Sequence, residues 1–273
     1  MQWGRRLLLA SAAAMLIGPV YARDTVLAVN EGTTYQDPDS APFHVRYQGL
    51  ADLLSRELKR PVKVVQVDKY DRLEKGLAEE QYDMAFVHPA HIALRAVKSG
   101  AYQGVGTAKG YTDYRARVLV AKDSPLKTMA DLRGKKLGVP SMESITTVMF
   151  VASLRQMHLP QPEKQLTATR YQDAVPFMVT QGFVDAGVTG SAAVANEWKR
   201  GGGRILGETR PIAIKQFLVS KQLADADRSR VGAVLLGLSG SDEGRSALAK
   251  IGIAGFAPWD AGAMNEATAE LGL

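Results

Sequence analysis

Short β-prone runs alternate with helical patterns along this chain, and that alternation leaves few folds open. Residues 24–29 (Asp-Thr-Val-Leu-Ala-Val) form the first such run. Tyr47, Leu50, Leu54 and Leu58 then recur at helical spacing, which puts them on one face. Pro61 stops that helix. Residues 62–67 read as a strand, and Leu73 and Leu77 mark a second helix. Residues 84–87 (Met-Ala-Phe-Val) read as a short buried strand, after which Pro89 suits the first turn of a third helix. The order β-α-β-α-β-α predicts a parallel sheet with helices packed on it.

The pattern then restarts. Strands are expected at residues 118–121, 137–139, 184–188 and 204–206, and helices at 144–157, 173–181 and 192–199. Residues 212–219 are β-prone again, and the chain from Ala226 onward is mostly helical. No flexible linker separates the two α/β units, because strand signals resume directly after Gly201-Gly202-Gly203.

Composition removes several functions. Of 273 residues, 46% are hydrophobic and 23% charged, which is ordinary for a globular chain. The net charge of +6 is spread without a block of like charges, so a nucleic-acid-binding arm is not expected. With no cysteine, disulfides, thiol catalysis and thiolate metal sites are excluded. The chain lacks a Gly-x-Ser-x-Gly elbow, a His-Glu-x-x-His pair and a phosphate-loop lysine motif, so nothing points to an enzyme, and no cofactor is expected.

Residues 1–22 read as a secretory signal. Arg5 and Arg6 precede an uncharged apolar stretch from Leu7 to Val20, and Val20-Tyr21-Ala22 suits cleavage. That stretch is short for a transmembrane helix, which needs about 20 apolar residues. Export without disulfides suits a bacterial periplasm.

Several segments together resemble the phosphate/phosphite/phosphonate class of periplasmic solute-binding proteins of ABC importers. They are Tyr47-x-x-Leu50-x-x-Leu53-Leu54, Asp68-Lys69-Tyr70-Asp71-Arg72-Leu73 and Tyr82-Asp83-Met84-Ala85-Phe86-Val87-His88-Pro89. Next come residues 114–120, Met129-Ala130-Asp131-Leu132-Arg133-Gly134-Lys135-Lys136-Leu137-Gly138-Val139, residues 182–188, and the segment from Glu243 to Phe256. The ordered set covers nearly the whole chain after the leader. The resemblance implies an α/β, two-lobe type II periplasmic-binding-protein fold, each lobe a mostly parallel sheet flanked by helices. Two crossings would join the lobes, near residues 121–124 and 209–216. Lobe 1 would be residues 23–121 plus 214–273, and lobe 2 residues 122–213. The implied protein is a monomer that closes on a small anionic solute. It would then present the solute to an inner-membrane ABC permease, or to a membrane sensor kinase.

The residues argue for an anion independently. Helix N-termini present unpaired N–H groups and partial positive charge. One helix is expected to start at Pro89-Ala90-His91 and another at Ser144-Ile145-Thr146-Thr147, each directly after a strand. Ligands of open α/β sheets bind beyond the carboxyl ends of strands, so both starts are placed for an oxyanion. Ser144 and Thr146 can equally be simple caps. The resemblance adds Tyr70 and Tyr114 as pocket tyrosines, and Ser144 and Thr146 as parts of a hydroxyl grip whose central hydroxyl residue is replaced by Ile145. Gln172 stands where many members carry histidine, and Thr189-Gly190-Ser191 where phosphonate binders carry a polar or acidic group. His88 stands where a glycine is usual, so His88 and His91 are candidate new donors. Their spacing would also allow a metal, which needs further ligands that this region supplies only through Glu31 or Asp113. The expected ligand-binding set is Tyr70, His88, His91, Tyr114, Ser144, Thr146, Thr147, Gln172 and Thr189.

Overall fold

The computed structural model describes residues 24–32 and 41–273; the leader expected over residues 1–22 lies outside them. Strand β1 (Thr25–Asn30) is almost wholly buried, as an unbroken apolar run requires. It pairs in parallel with β2 (Val62–Gln66) on one side and β3 (Met84–Val87) on the other. Between these strands run α1 (Phe43–Leu58) and α2 (Tyr70–Ala78), and α3 (Ala90–Lys98) follows β3. Helix α1 buries Tyr47, Leu50, Leu54 and Leu58, the face its spacing dictates, and ends at Lys59 in the left-handed conformation. Strand β4 (Tyr102–Ala108) completes the first pass through this sheet.

The chain then builds a second sheet. Its elements are β5 (Arg117–Val120), β6 (Leu137–Val139), α4 (Ile145–Gln156), β7 (Leu166–Ala168), α5 (Val175–Thr180), β8 (Ala186–Thr189), α6 (Ala192–Arg200) and β9 (Arg204–Glu208). The strand order is β7-β6-β8-β5-β9, with β6 parallel to both neighbours and β5 antiparallel to both of its own. The chain returns as β10 (Gln216–Ser220), which inserts antiparallel between β3 and β4. Helices α7 (Asp225–Gly237) and α8 (Asp242–Lys250) pack on α1, β11 (Phe256–Pro258) pairs with β4, and α9 (Ala261–Glu270) ends the chain. The first sheet reads β11-β4-β10-β3-β1-β2.

Two expectations need correction. The first crossing was expected near residues 121–124, with lobe 1 running to residue 121. Strand β5 instead hydrogen-bonds to β8 and β9, so the chain has already left the first sheet between Ala108 and Arg117. The two crossings bind each other. Tyr114 N–H donates to Ile212 O (3.1 Å), Ile212 N–H donates to Tyr114 O (2.9 Å), and Thr209 N–H donates to Ala116 O (2.9 Å). The tail from residue 214 was expected wholly in lobe 1. Helix α9 instead places Met264, Ala267 and Leu271 in the apolar cluster of the second sheet, beside Val118, Val139 and Met149.

That same cluster contains Ala90 and Leu94 of α3, and α3 is in direct contact with α4. The two helices that follow β3 and β6 thereby meet across the two sheets.

Candidate functional site

On the second lobe the candidate site is built from the start of α4, Gln172 and the turn that follows β8. Ser144 is the N-cap of α4; its Oγ accepts the Thr147 N–H at 3.2 Å and lies 3.0 Å from Thr147 Oγ1. Thr147 Oγ1 lies within donating distance of Pro140 O (3.1 Å) and Ser141 O (3.0 Å). A hydroxyl has one proton to give, so Thr147 spends its own on the carbonyls and Ser144 spends its own on Thr147. Both hydroxyls act within the cap. Thr146 differs: it is fully buried, and its Oγ1 shares a 2.6 Å hydrogen bond with Tyr114 Oη, which reaches it from the crossing. Val148 N–H goes to Ser144 O. Helix geometry leaves the N–H groups of Ile145 and Thr146 without intrahelical acceptors.

Gln172 ties this wall together. Its Oε1 accepts from Gly190 N–H (2.5 Å), Ser191 N–H (2.9 Å) and Thr189 Oγ1 (3.1 Å), and its Nε2 donates to Tyr114 Oη (3.3 Å). Thr189 Oγ1 also accepts from Ser191 N–H at 3.1 Å. Gly190, the centre of the Thr189-Gly190-Ser191 segment, makes the room that the aromatic ring occupies. A methyl group there would overlap Tyr114 Oη and Cζ and lie 2.7 Å from Thr146 Oγ1. Burial raises the Tyr114 phenol above its usual range, although the bonds to Thr146 and Gln172 and the charge of Arg117 work against the shift. The phenol is a neutral donor.

The first lobe contributes two buried imidazoles. His88 follows β3 and packs over Gly32, where a Cβ would meet its ring at 2.6 Å. His91 lies in the first turn of α3. Neither Nδ1 has a hydrogen-bonding partner among the described residues. Burial pushes both down to about 3; the charge of Lys215 adds to this at His88, and that of Arg95 at His91. Both rings are neutral at physiological pH. No group of three or more His, Cys, Asp or Glu able to hold a metal occurs among the described residues.

Tyr70, the first residue of α2, is buried among Val67, Leu73, Val87 and Ile92 of lobe 1. The hydrogen bonds therefore link Tyr114 with Thr146, Gln172 and Thr189, while Tyr70 sits in the packing of the other lobe. Beyond β1 the chain carries an ion pair that bare spacing does not reveal. Glu31 accepts from Arg46 through both oxygens (2.5 and 2.6 Å) and from Tyr47 Oη (2.9 Å). Burial opposes ionisation of Glu31, but these bonds and the charges of Arg46 and Lys215 outweigh it and hold the carboxyl below its ordinary range. Lys215 adopts a left-handed φ of 60° and sets its Nζ 3.8 Å from the centre of the Tyr111 ring.

The model of the family described as "ABC transporter, phosphonate, periplasmic substrate-binding protein" matches residues 34–263. The chain belongs to that family. Among solved structures it is similar to XAC2383 from Xanthomonas citri bound to chloride ion (18% identity, TM-score 0.74, covering 91% of this chain and 97% of that one). It is also similar to PhnD1 from Prochlorococcus marinus in complex with methylphosphonate (16%, 0.66, 90% and 97%). A third is a binding protein component of an ABC phosphonate transporter from Pseudomonas aeruginosa (13%, 0.65, 90% and 85%). These likenesses establish the type II periplasmic-binding-protein fold. No curated protein sequence matches it. As a family member, the protein is a periplasmic substrate-binding component of an ABC transporter. Among the described residues no helix is long and apolar enough to cross a membrane.

Proposed function

We infer that the cleft captures a small oxyanion of the phosphonate type and that lobe closure on it creates the form an inner-membrane permease reads. The observation that carries this reading is a set of polar groups with bonds still to make after the carboxyl ends of β3 and β6. On lobe 2 these are the Ile145 and Thr146 N–H groups, left over by helix geometry, and the Thr146 hydroxyl, bonded only to Tyr114; on lobe 1, the Nδ1 atoms of His88 and His91 have no partner among the described residues. A ligand rich in acceptors satisfies them at once, whereas a leftover buried donor costs about 1–3 kcal/mol. Ser144, Thr147, Thr189 and Gln172 support the wall, and Tyr70 stands on the lobe 1 side, packed with Val67, Leu73 and Ile92. The same reading has the leader over residues 1–22 removed on export and the protein acting as a monomer.

Thermal-shift and titration calorimetry on the purified protein test this. The panel is methylphosphonate, an aminophosphonate, phosphate, phosphite, sulfate and small carboxylates. A ligand at 100 times its Kd stabilises by about 2.7 kcal/mol, a rise of several degrees in Tm. A selective rise with one oxyanion, lost in Thr146→Val, supports the reading. A response only to carboxylates, or to nothing in the panel, overturns it.

A further inference from the structure

The network on lobe 2 has a direction, and the direction comes from one residue. Backbone N–H groups can only donate. The atom of the Gln172 amide lodged against Gly190 N–H and Ser191 N–H is therefore its oxygen. That fixes the other end: Nε2, a pure donor, faces Tyr114 Oη. The phenol's one proton has only Thr146 Oγ1 to go to among the described residues, so a satisfied phenol donates there. Thr146 then has its proton left over, with no second acceptor among the described residues.

We propose that Gln172 is the specificity-determining residue of the cleft: by anchoring its carbonyl at the start of α6, it polarises the chain Gln172–Tyr114–Thr146 so that Thr146 presents a donor. The wall then favours a fully ionised oxygen, the stronger acceptor, over one that still carries its proton. This rests on the oxyanion reading of the cleft. Gln172 acts through Tyr114 and is a positioning residue. Thr189 belongs to the same arrangement, since its hydroxyl accepts from Ser191 N–H and donates to Gln172 Oε1, so its proton is already committed.

The test is calorimetric titration of methylphosphonate at pH values on either side of its second ionisation, with sulfate, which stays ionised throughout, as the reference. The charged and titratable groups around the wall are Arg117, which pairs with Glu208, the buried His88 and His91, and beyond them Lys215 and Glu31. The two imidazoles stay neutral over this range, and sulfate reports any remaining titration of the protein. The native protein should gain at least tenfold in methylphosphonate affinity as the last proton leaves, relative to sulfate. Gln172→Glu keeps an acceptor on the Gly190 and Ser191 N–H groups, yet now offers Tyr114 only an acceptor. The chain reverses, and Thr146 turns a lone pair to the ligand. This variant should lose at least tenfold in affinity for the dianion and much less for the protonated form.

Introduced charge alone would also repel an anion, so the variant is repeated in Tyr114→Phe, where no chain can run. There Gln172→Glu should cost at least about threefold less affinity than it does with the phenol in place, leaving only the repulsion. Tyr114→Phe alone should flatten the preference between protonation states, which keeps the proposal exposed even if Gln172→Glu fails to fold. A loss of equal size in the presence and absence of the phenol overturns the proposal. So does a protonation preference that survives Tyr114→Phe. Absence of binding by the native protein to every oxyanion would instead overturn the oxyanion reading itself.

Discussion

Gly190→Ala is the sharpest perturbation the structure offers. The added methyl would overlap the Tyr114 Oη and Cζ positions and stand 2.7 Å from Thr146 Oγ1. Gly190 is not among the glycines with positive φ, so the substitution brings steric overlap without backbone strain. Forcing a methyl into a packed site costs about 1–3 kcal/mol. Moving the Tyr114 ring also breaks its bonds to Thr146 and Gln172, each worth about 1 kcal/mol net. Together these give a loss of about 3–5 kcal/mol. At roughly 2–4 °C per kcal/mol for a chain of this size, Tm should fall by about 6–20 °C. Urea melts followed by far-ultraviolet circular dichroism measure the stability term, and calorimetry on the same samples measures affinity.

The variant Tyr114→Ala clears the space. In that background the further cost of Gly190→Ala should shrink by roughly 1–3 kcal/mol, the coupling expected of residues in direct contact. If Gly190→Ala costs the same in both backgrounds, or stays within about 0.5 kcal/mol of the parent, then the ring does not sit on Gly190 and the wall is built differently.

Three further outcomes follow from the same contacts. Ser144→Ala removes the α4 cap, so it should lower stability by about 0.5–2 kcal/mol in urea melts while reducing anion affinity far less than Thr146→Val; the reverse ranking would put the Ser144 hydroxyl on the ligand. Glu31 has a folded-state pKa below its unfolded value of 4.5, so its ion pair stabilises above that value and is lost as pH falls through the folded-state value; melts of Glu31→Gln should show a shallower acid loss below pH 4.5. His88 and His91 are pushed down to about 3 from 6.5, so between these values the unfolded chain binds more protons and stability drops as pH falls. Each contributes a slope of about 1.4 kcal/mol per pH unit in that window, and His91→Leu should remove one such slope from melts between pH 6.5 and 4.

The alternating pattern carried most of the architecture, because the buried strands β1 and β3 are apolar without interruption and α1 is apolar at helical spacing. Strand β4 escaped notice for a physical reason. Its glycines break the β signal, yet Gly104 leaves the space that the Trp259 indole fills, and Gly106 lets Ala257 O approach to 2.8 Å of a would-be Cβ. The sheet to which β5 belongs was equally hidden, since an apolar run records burial and not the neighbour that buries it. At the site, the residue types at Ser144, Thr146, Tyr114 and Gln172 could be read off. Which hydroxyl still has a proton to spend could not, because that depends on carbonyls such as Pro140 O and Ser141 O brought close by the fold.

The apolar contact between α3 and α4 sets what a ligand must do. Ala90 and Leu94 share a cluster with Ile145 and Met149 across the cleft. Parting the lobes exposes these side chains, and fully exposing a leucine alone costs about 1.5–3 kcal/mol. Against this, an empty closed cleft leaves two helix N–H groups and two imidazole Nδ1 atoms to find partners, at a comparable cost for each group left unsatisfied. The two terms oppose one another at similar size, so a ligand that supplies acceptors needs only a modest differential affinity to favour the closed state. Leu94→Ala weakens the apolar term alone. It should lower apparent anion affinity several-fold while leaving the relative ranking of anions intact, because the donors that discriminate among them are untouched.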